Sequence, residues 1–395
     1  MKDKQIEKLI KNEEKRLKDT IDLIASENSP SEDVFEALGS VFNVKYSEGY
    51  PNARYYRGQE NADKLETLCK ERALKLFKLS PKKWAVNVQP LSGSPANVAV
   101  YFGVIPKGGK IMGMSLSAGG HLTHGHGVSI TGTFWNQVPY GVDSKTEKLD
   151  YEEIEKIAVR EKPDIIVAGF TAYPRTINWK KFRNIADKAG SLLMVDMSHI
   201  AGLVAGGAHP SPFPYADIVT STTHKTLRGP RSAIIFSRID ERKLDKKIDK
   251  AVFPGMQGGP HLNQIAGVAV ALGEALKPNF KTYANQIVKN AKTLADELKN
   301  KGWKIVSGGT DNHLLLVDVW MDGAGLSGEH ASIALEKNGI VVNKNTIPNE
   351  KRSPRDPSGL RLGSAAETTK GAKEKDFKEI AEKIDLILKA EINKR

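Results

Sequence analysis

Two short apolar runs, each ending in polar residues, decide the fold class of this chain: "SLLMVDMSH" (residues 191–199) and "YADIVTSTTHK" (residues 215–225). In the first run, Asp196 directly follows four apolar residues and His199 comes three residues later. In the second run, a series of hydroxyl residues leads to Lys225. Both runs have the length and apolar content of buried strands, so the polar residues are expected at the strands' carboxyl ends.

Further apolar runs alternate with helical patterns from about residue 60 onward. Four more strands are predicted, over "AVNVQP" (85–90), "GKIMGM" (109–114), "DIIVAGF" (164–170) and "RSAIIFS" (231–237). Helices are predicted over residues 62–79, 95–105, 179–190 and 264–276, where apolar residues recur at helical spacing. Strands that alternate with helices indicate an α/β fold with a mostly parallel sheet covered by helices on both faces.

The pattern changes on either side of this region. Apolar residues at helical spacing in the first twenty-odd residues predict an amphipathic helical arm over residues 1–25. A large domain is predicted over residues 26–276. After Pro278, a long helix, three short strand-like runs and a closing helix predict a smaller C-terminal α+β domain over residues 277–395.

Composition excludes several classes of protein. The formal charge of +12 comes from 59 basic and 47 acidic residues, but the lysines are mixed with acids along helices rather than clustered, which argues against a nucleic-acid partner. No run approaches 18 apolar residues, so no membrane span is expected. The N-terminus has no apolar signal segment, and the single cysteine, Cys69, excludes an internal disulfide. These features predict a cytoplasmic protein.

Three strand ends bring together groups of complementary chemistry. "SGSPAN" (92–97) predicts a helix start with Ser94 as N-cap and Pro95 at the first helical position, and such a start can bind an anion. Asp196 and Lys225 follow the two strands described above. A phosphate cradle, a carboxylate and a lysine are what pyridoxal phosphate requires, since the lysine forms a Schiff base and the acid keeps the pyridine nitrogen protonated.

Longer motifs then identify a family. The chain resembles serine hydroxymethyltransferases in stretches that run in order from about residue 20 to 365: "LIASENSPS", "KYSEGYPNARYY", "SGSPANVAVY", "AGGHLTHGH", "VDMSHIAGLVA", "TTHKTLRGPR", "FPGMQGGPH", "SGGTDNHLLLVD", "VNKNTIPNE" and "SGLRLGS". The resemblance implies the fold type I architecture of pyridoxal-phosphate enzymes, with a seven-stranded sheet. It also implies reversible conversion of serine and tetrahydrofolate to glycine and 5,10-methylenetetrahydrofolate. A homodimer, or a tetramer built as a dimer of dimers, would carry its sites at the subunit interface.

The resemblance also implies roles for individual residues. The residues expected to bind pyridoxal 5'-phosphate are Gly93, Ser94, His121, Thr171, Asp196, His199, Thr222 and Lys225, with Tyr46 and Gly258 contributed by the neighbouring subunit. The residues expected to act in catalysis are Lys225, Asp196, His199, His224, Tyr56 and Glu48, the last as the acid/base near the substrate hydroxyl.

Substrate contacts are implied in the same way. Arg361 would bind the substrate carboxylate through its planar guanidinium, with Ser26 and Tyr56 nearby. The residues expected to contact folate are Tyr55, Leu116, Gly120, His121, Leu122, Phe253, Asn345, Ser353, Pro354 and Arg355.

Some positions depart from the family's usual pattern. Thr171 stands where a serine is typical, and it keeps the hydroxyl. Arg57 replaces a usual glycine, and Arg355 stands where an aromatic residue is common. The stretch Ser364–Gly371, "SAAETTKG", is also altered. These changes concern folate affinity more than pyridoxal chemistry.

Three other interpretations fit the sequence less well. A folate-independent pyridoxal-phosphate aldolase would use the same groups, but "GGHL" and "NKNTIPN" favour the folate enzyme. An RNA-binding protein with a vestigial site disagrees with the joint retention of Lys225, Asp196 and Arg361. The three histidines of "HLTHGH" have neither a cysteine nor a spaced carboxylate beside them, so no metal is expected.

Overall fold

The chain divides into two compact units. A computed structural model describes residues 1–394. The large unit is Asn28–Asn285, and the small unit combines Met1–Glu27 with the chain from Gln286 onward. The helix Asn279–Asn300 contains the boundary between them. The predicted domain limits at residues 25 and 276, including a separate N-terminal arm, stay a prediction.

A seven-stranded sheet organises the large unit. In spatial order its strands are Trp84–Asn87, Ala233–Arg238, Ile218–Thr222, Leu192–Asp196, Ile165–Gly169, Lys110–Met114 and Asn136–Tyr140. The strand Ala233–Arg238 runs antiparallel to both neighbours, and the other pairings are parallel. The predicted α/β class with a mostly parallel sheet is therefore confirmed.

Helices and short turns connect these strands. The α-helices of the large unit are Glu32–Leu38, Glu60–Leu76, Gly93–Val104, Ile130–Phe134, Tyr151–Glu161, Trp179–Ala189, Ala201–Ala205, Leu244–Lys250 and Leu262–Ala275. Tighter helical turns lie at Val41–Val44 and Leu116–Ala118, a π-helical turn lies at Ala251–Met256, and a two-stranded ribbon pairs Gly49–Tyr50 with Ala53–Arg54. Buried side chains of the sheet, such as Ile165 and Ile218, pack against Ala96, Val100 and other residues of one helix.

Several elements of the large unit were missing from the pattern-based prediction, among them the strand Asn136–Tyr140 and the helix Tyr151–Glu161. The strand lies at the edge of the sheet and contains Pro139 and two polar residues at its start, a composition that edge strands tolerate because one side needs no partner. Its sequence therefore lacks the apolar run by which the central strands were recognised.

The small unit is an α+β structure, as predicted. Its four-stranded sheet is antiparallel, in the order Lys304–Ile305, Leu314–Asp318, Gly359–Gly363 and Asn343–Asn345. A separate parallel pair joins Ile21–Asp22 to Ile340–Val341. Its further helices are Lys4–Asp19, Gly328–Lys337, Ala365–Thr369 and Glu374–Ile392, with tight turns at Val306–Gly308 and Met321–Gly323. No helix within residues 1–394 is long and apolar enough to cross a membrane.

Candidate active site

A cavity opens at the carboxyl edge of the large unit's sheet. Its volume is about 140 Å³. It is lined by residues that follow the strands Trp84–Asn87, Leu192–Asp196 and Ile218–Thr222 in the chain, which is where ligands bind in open α/β sheets. The predicted residues that line it are Gly93, Ser94, His121, Thr171, Asp196, His199, Thr222, His224 and Lys225. Sequence reasoning missed Ser92, Asn97, His124, Phe170, Ser198 and Arg231, which line it as well.

Three donors hold the Asp196 carboxylate in the cavity. Its side chain is only 10% exposed. Oδ2 accepts hydrogen bonds from Asn97 Nδ2 at 2.9 Å and from His124 Nε2 at 3.1 Å, and Oδ1 accepts from the Ser198 N–H at 3.1 Å. Burial by itself would raise the pKa of this carboxyl, but the hydrogen bonds with His124, Ser198 and Asn97 lower it well below its usual value. Asp196 is therefore a carboxylate at neutral pH.

The two histidines of the loop take defined tautomers. His124 Nδ1 accepts from the His121 N–H at 3.3 Å, so the ring proton is on Nε2, which donates to Asp196. His121 Nδ1 lies 3.1 Å from the Thr123 N–H and 2.7 Å from Thr123 Oγ1, and accepts from the former. Burial, with a contribution from His124, lowers the pKa of His121 to about 4. His121 is therefore a neutral ring on the cavity wall.

Lys225 is positioned by residues on both of its sides. Its Nζ donates to Thr222 Oγ1 at 3.0 Å, and its backbone carbonyl accepts from Asn28 Nδ2 at 2.9 Å. Other hydroxyls of the run before it bond elsewhere, with Thr220 donating to Asn97 Oδ1 and Ser221 to a backbone carbonyl. The hydroxyl run therefore bonds Lys225 through Thr222 and supports Asp196 through the hydrogen bond from Thr220 to Asn97.

His224 presents a polar atom without a protein partner. Its ring lines the cavity, and its buried Nδ1 has no hydrogen-bond partner among the described residues. Burial, together with the positive charges of Lys225 and Arg231, lowers the pKa of His224 to about 3. Buried polar groups are usually paired, so this nitrogen is available for a ligand.

The helix start at the cavity differs from the prediction. The helix is Gly93–Val104 with Ser92 as N-cap, so the predicted N-cap position of Ser94 is wrong and Pro95 is the third helical residue. Proline is accepted there because the N–H groups of the first turn have no partner within the helix. Ser92 makes no side-chain capping bond, so the N–H groups of Gly93 and Ser94 are not used by the cap. A first turn of this kind can bind an anion, and phosphate binding by Gly93 and Ser94 stays a prediction.

Thr171 contacts the loop that precedes the histidines. Its hydroxyl donates to the carbonyls of Gly120 at 2.8 Å and Gly119 at 3.2 Å. The threonine found in place of the usual serine therefore joins the strand end at Gly169 to the loop that carries His121.

A second group of predicted residues lies together, outside the lining of this cavity. Tyr46 and Tyr56 make an edge-to-face contact with ring centroids 5.9 Å apart, and Tyr55 contacts Tyr56 at 5.3 Å. Glu48 lies beside Tyr56, and its negative charge raises the pKa of the Tyr56 hydroxyl. A Cβ added to Gly258 would lie 3.4 Å from Glu48 Oε1. Of the remaining predicted folate contacts in this unit, Leu116 and Leu122 are partly exposed.

The small unit holds the remaining predicted residues. Arg361 lies on the strand Gly359–Gly363, where its Nε donates to Asn343 Oδ1 at 3.0 Å, and burial lowers its pKa to about 10, which leaves it charged at neutral pH. Asn345 pairs with Gly359 on the adjacent strand. Ser353, Pro354 and Arg355 form a turn in which the Arg355 N–H donates to Ser353 Oγ. Ser26 follows Ala25, which lies against Gly363.

Comparison with known proteins gives the family. A family model described as serine hydroxymethyltransferase matches residues 1–384. A curated serine hydroxymethyltransferase of Coprothermobacter proteolyticus is 54% identical over 382 residues, which cover 97% of this chain and 90% of that protein. The chain belongs to the serine hydroxymethyltransferase family.

Membership of the serine hydroxymethyltransferase family confirms the predicted activity. The chain is an enzyme that reversibly converts serine and tetrahydrofolate to glycine and 5,10-methylenetetrahydrofolate. Pyridoxal 5'-phosphate is its cofactor, and tetrahydrofolate is its co-substrate. The fold type I architecture expected from the resemblance is confirmed together with the family.

Gly93 offers a test of the cavity's geometry. A Cβ at this position would lie 2.7 Å from Thr222 Cγ2, so Gly93→Ala forces a shift at the start of the helix. We expect the free energy of unfolding of the apoenzyme to fall by about 1–3 kcal/mol, and cofactor affinity to fall with it. Urea unfolding and spectrophotometric titration with pyridoxal 5'-phosphate measure the two effects.

The matched variant is Gly93→Ala combined with Thr222→Ser. Serine removes the obstructing methyl group and keeps the hydroxyl that accepts from Lys225 Nζ. Most of the lost stability and affinity should return in the double variant. If the double variant is no better than Gly93→Ala alone, the contact with Thr222 is not what requires glycine.

Proposed function

We propose that the cavity of the large unit is the site where this enzyme holds pyridoxal 5'-phosphate, with Lys225 as the lysine that binds it covalently. The observation that carries the proposal is Asp196, a nearly buried carboxylate kept ionised by Asn97, His124 and the Ser198 N–H. Lys225 follows the adjacent strand, whose Thr220 is in register with Asp196.

The groups around the cavity fit this cofactor. The first-turn N–H groups at Gly93 and Ser94 suit its phosphate, and Gly93 is a position where a Cβ would collide with Thr222. Asp196 suits a protonated pyridine nitrogen. The unpartnered Nδ1 of His224 is a further polar group for the cofactor, and the neutral ring of His121 offers it a flat surface. When bound, pyridoxal phosphate supplies an electron sink for the α-carbon of the amino acid.

The chain's own residues would hold protons at defined atoms. Asp196 stays deprotonated because its donors stabilise the charge, so it would stabilise a positive charge on a pyridine nitrogen bound beside it. Thr222 Oγ1 accepts a hydrogen bond from Lys225 Nζ at 3.0 Å and so would orient the amine before the cofactor binds. His199, Thr171 and Thr222 are proposed as further cofactor contacts, and His224 as a residue beside the substrate.

Substrate and folate residues are proposed from the family resemblance. Arg361 would bind the amino-acid carboxylate, with Ser26 and Tyr56, and Glu48 would act as the acid/base. The proposed folate contacts are Tyr55, Leu116, Gly120, His121, Leu122, Phe253, Asn345, Ser353, Pro354 and Arg355.

We also propose that the enzyme is a homodimer, or a tetramer of such dimers, in which Tyr46, Glu48 and Gly258 serve the site of the neighbouring subunit. Two observations support this assembly. The side-chain cluster of Tyr46, Glu48 and Tyr56 lies outside the lining of its own chain's cavity. Apolar side chains near it in sequence are strongly exposed, with Val41 at 82% and Val44 at 86%, and large exposed apolar surfaces mark interfaces. A cytoplasmic location is proposed on the single, buried Cys69.

Chemical labelling tests the assignment of Lys225. Borohydride reduction of the holoenzyme, followed by peptide mapping, should find the pyridoxyl group on Lys225. The same treatment of Lys225→Ala should leave that peptide unmodified. A label on a different lysine of the wild-type enzyme would contradict the proposed site.

Replacement of Arg361 tests the carboxylate contact. Arg361→Lys keeps a positive charge but loses the planar pair of donors, so serine binding should weaken by about 1.5–3 kcal/mol. The measurement is the KM for serine. Arg16→Lys, which alters an exposed arginine of the same unit that pairs with Glu13, is the matched control and should leave the KM unchanged. An unchanged KM in Arg361→Lys would remove Arg361 from the site.

Mixed dimers test whether Glu48 serves the neighbouring subunit. Lys225→Ala and Glu48→Gln should each be nearly inactive alone. If Glu48 serves the neighbouring subunit, a mixed dimer has one site with both substitutions and one site with an intact Lys225 and an intact Glu48. Random mixing should therefore restore about a quarter of wild-type activity. Differently tagged copies verify that mixed dimers form, and an inactive mixture that contains them would show that Glu48 acts within its own subunit.

A further inference from the structure

The residues of the segment Tyr46–Gly49 alternate between exposed and buried, as in an extended chain that packs one face against the protein. Ser47 is fully buried and Gly49 is buried, whereas Tyr46 is exposed and Glu48 is partly exposed. Gly49 has φ +95°, and a Cβ there would lie 2.3 Å from the Ala53 carbonyl oxygen, so only glycine fits. The segment therefore faces the protein interior with Ser47 and Gly49, and it presents Tyr46 and Glu48 outward.

Every backbone carbonyl of this segment accepts a hydrogen bond. Gln59 Nε2 donates to the Tyr46 carbonyl at 3.0 Å, and Arg54 Nη1 donates to the carbonyls of Ser47 at 3.0 Å and Gly49 at 2.7 Å. Gln89 Nε2 donates to the Gly49 carbonyl as well, at 2.9 Å. The Tyr55 N–H donates to the Glu48 carbonyl at 3.0 Å. The backbone on both sides of Glu48 is thus fixed by side chains from elsewhere in the chain.

A buried ion pair holds these donors in place. The Arg54 side chain is 3% exposed and Glu66 is 0% exposed, and Nη2 of Arg54 lies 2.7 Å from Glu66 Oε2. Arg54 Nε donates to Asp63 at 2.8 Å. Glu66 also accepts from Gln89 Nε2 and pairs with Lys70 at 2.9 Å. The Arg54 guanidinium therefore donates from Nε and Nη2 to the carboxylates of Asp63 and Glu66. From Nη1 it donates to the two carbonyls that flank Glu48.

Stability alone does not explain this arrangement. The desolvation of two buried charges offsets much of their attraction, and apolar residues of similar volume often stabilise a fold as well or better. What the ion pair provides is a fixed geometry, because a planar guanidinium can bond two carbonyls and two carboxylates only in one orientation. The residue between the two carbonyls that Arg54 bonds is Glu48.

We propose that Arg54 and Glu66 are positioning residues that set the Glu48 carboxylate for the reaction, through the backbone of Tyr46–Gly49. This inference rests on the acid/base role proposed for Glu48. Neither residue lines the cavity of its own chain. Arg54 and Glu66 would therefore affect the reaction only through the segment Tyr46–Gly49. Loss of their ion pair would lower kcat, while the fold and the bound cofactor persist.

The first test is Arg54→Lys in the holoenzyme. A lysine nitrogen cannot reach both carbonyls and both carboxylates, so Glu48 should lose its fixed position, and kcat for folate-dependent serine cleavage should fall by about tenfold or more. The cofactor absorbance and the KM for serine should change little. Lys70→Met is the matched control, because it removes another ion pair of Glu66 without contacting the carbonyls of Tyr46–Gly49, and its kcat should stay near wild type.

A second variant separates positioning from folding. Arg54→Met combined with Glu66→Met replaces the ion pair by apolar side chains and should keep the free energy of unfolding close to wild type. A positioning role predicts a low kcat in this folded enzyme. A kcat near wild type in the folded double variant, or in folded Arg54→Lys, would overturn the inference.

Combination with Glu48→Gln shows whether the effect passes through Glu48. If Arg54 acts by positioning Glu48, then Arg54→Lys should cause no further loss of kcat in the Glu48→Gln background. An equal loss in both backgrounds would overturn the inference while leaving the role of Glu48 intact. A Glu48→Gln enzyme with wild-type kcat would instead overturn the proposed role of Glu48, and the positioning role with it.

Discussion

The hydrogen bonds to the Asp196 carboxylate are the interaction on which the rest of the site depends. A carboxylate that is only 10% exposed is costly unless donors surround it, and here the donors come from three different parts of the chain. Asn97 belongs to the helix Gly93–Val104, His124 to a loop, and Ser198 to the turn after the strand. Keeping this one charge ionised therefore joins three segments that are distant in sequence.

The same contacts determine where the other groups of the cavity lie. Asn97 is oriented by Thr220, which donates to its Oδ1 at 2.8 Å, and Thr220 is in register with Asp196 on the adjacent strand. The helix that carries Asn97 begins at Gly93, so its free first-turn N–H groups are held at a fixed distance from the carboxylate. Lys225 follows Thr220 by five residues along the chain. An anion site, a carboxylate and a lysine are thus placed by one network.

The residues of this network that directly follow apolar runs could be predicted from the sequence, and the other residues of the network could not. Asp196 and Lys225 follow buried strands, where a polar residue is conspicuous. Asn97 lies inside an apolar helix and His124 inside a histidine-rich loop, so only their contacts in three dimensions identify them as partners of Asp196. The N-cap was misplaced by two residues because serines at positions 92 and 94 both suit that role, and the backbone decides between them. Arg361 lies on a strand that was not predicted, since glycines flank it and leave little apolar pattern.

The carboxylates of Asp196 and Glu66 differ in their surroundings, and the difference bears on how the functional residues are divided between the cavity and the segment Tyr46–Gly49. Asp196 faces its own cavity, where a bound cofactor would add a positive partner. Glu66 is 0% exposed, and neither it nor its partners Arg54, Lys70 and Gln89 line the cavity. The pairing of Arg54 with Glu66 holds the segment Tyr46–Gly49 within its own chain, as the proposed service of Glu48 to a neighbouring subunit would require, because a ligand in the chain's own cavity would then not order this segment.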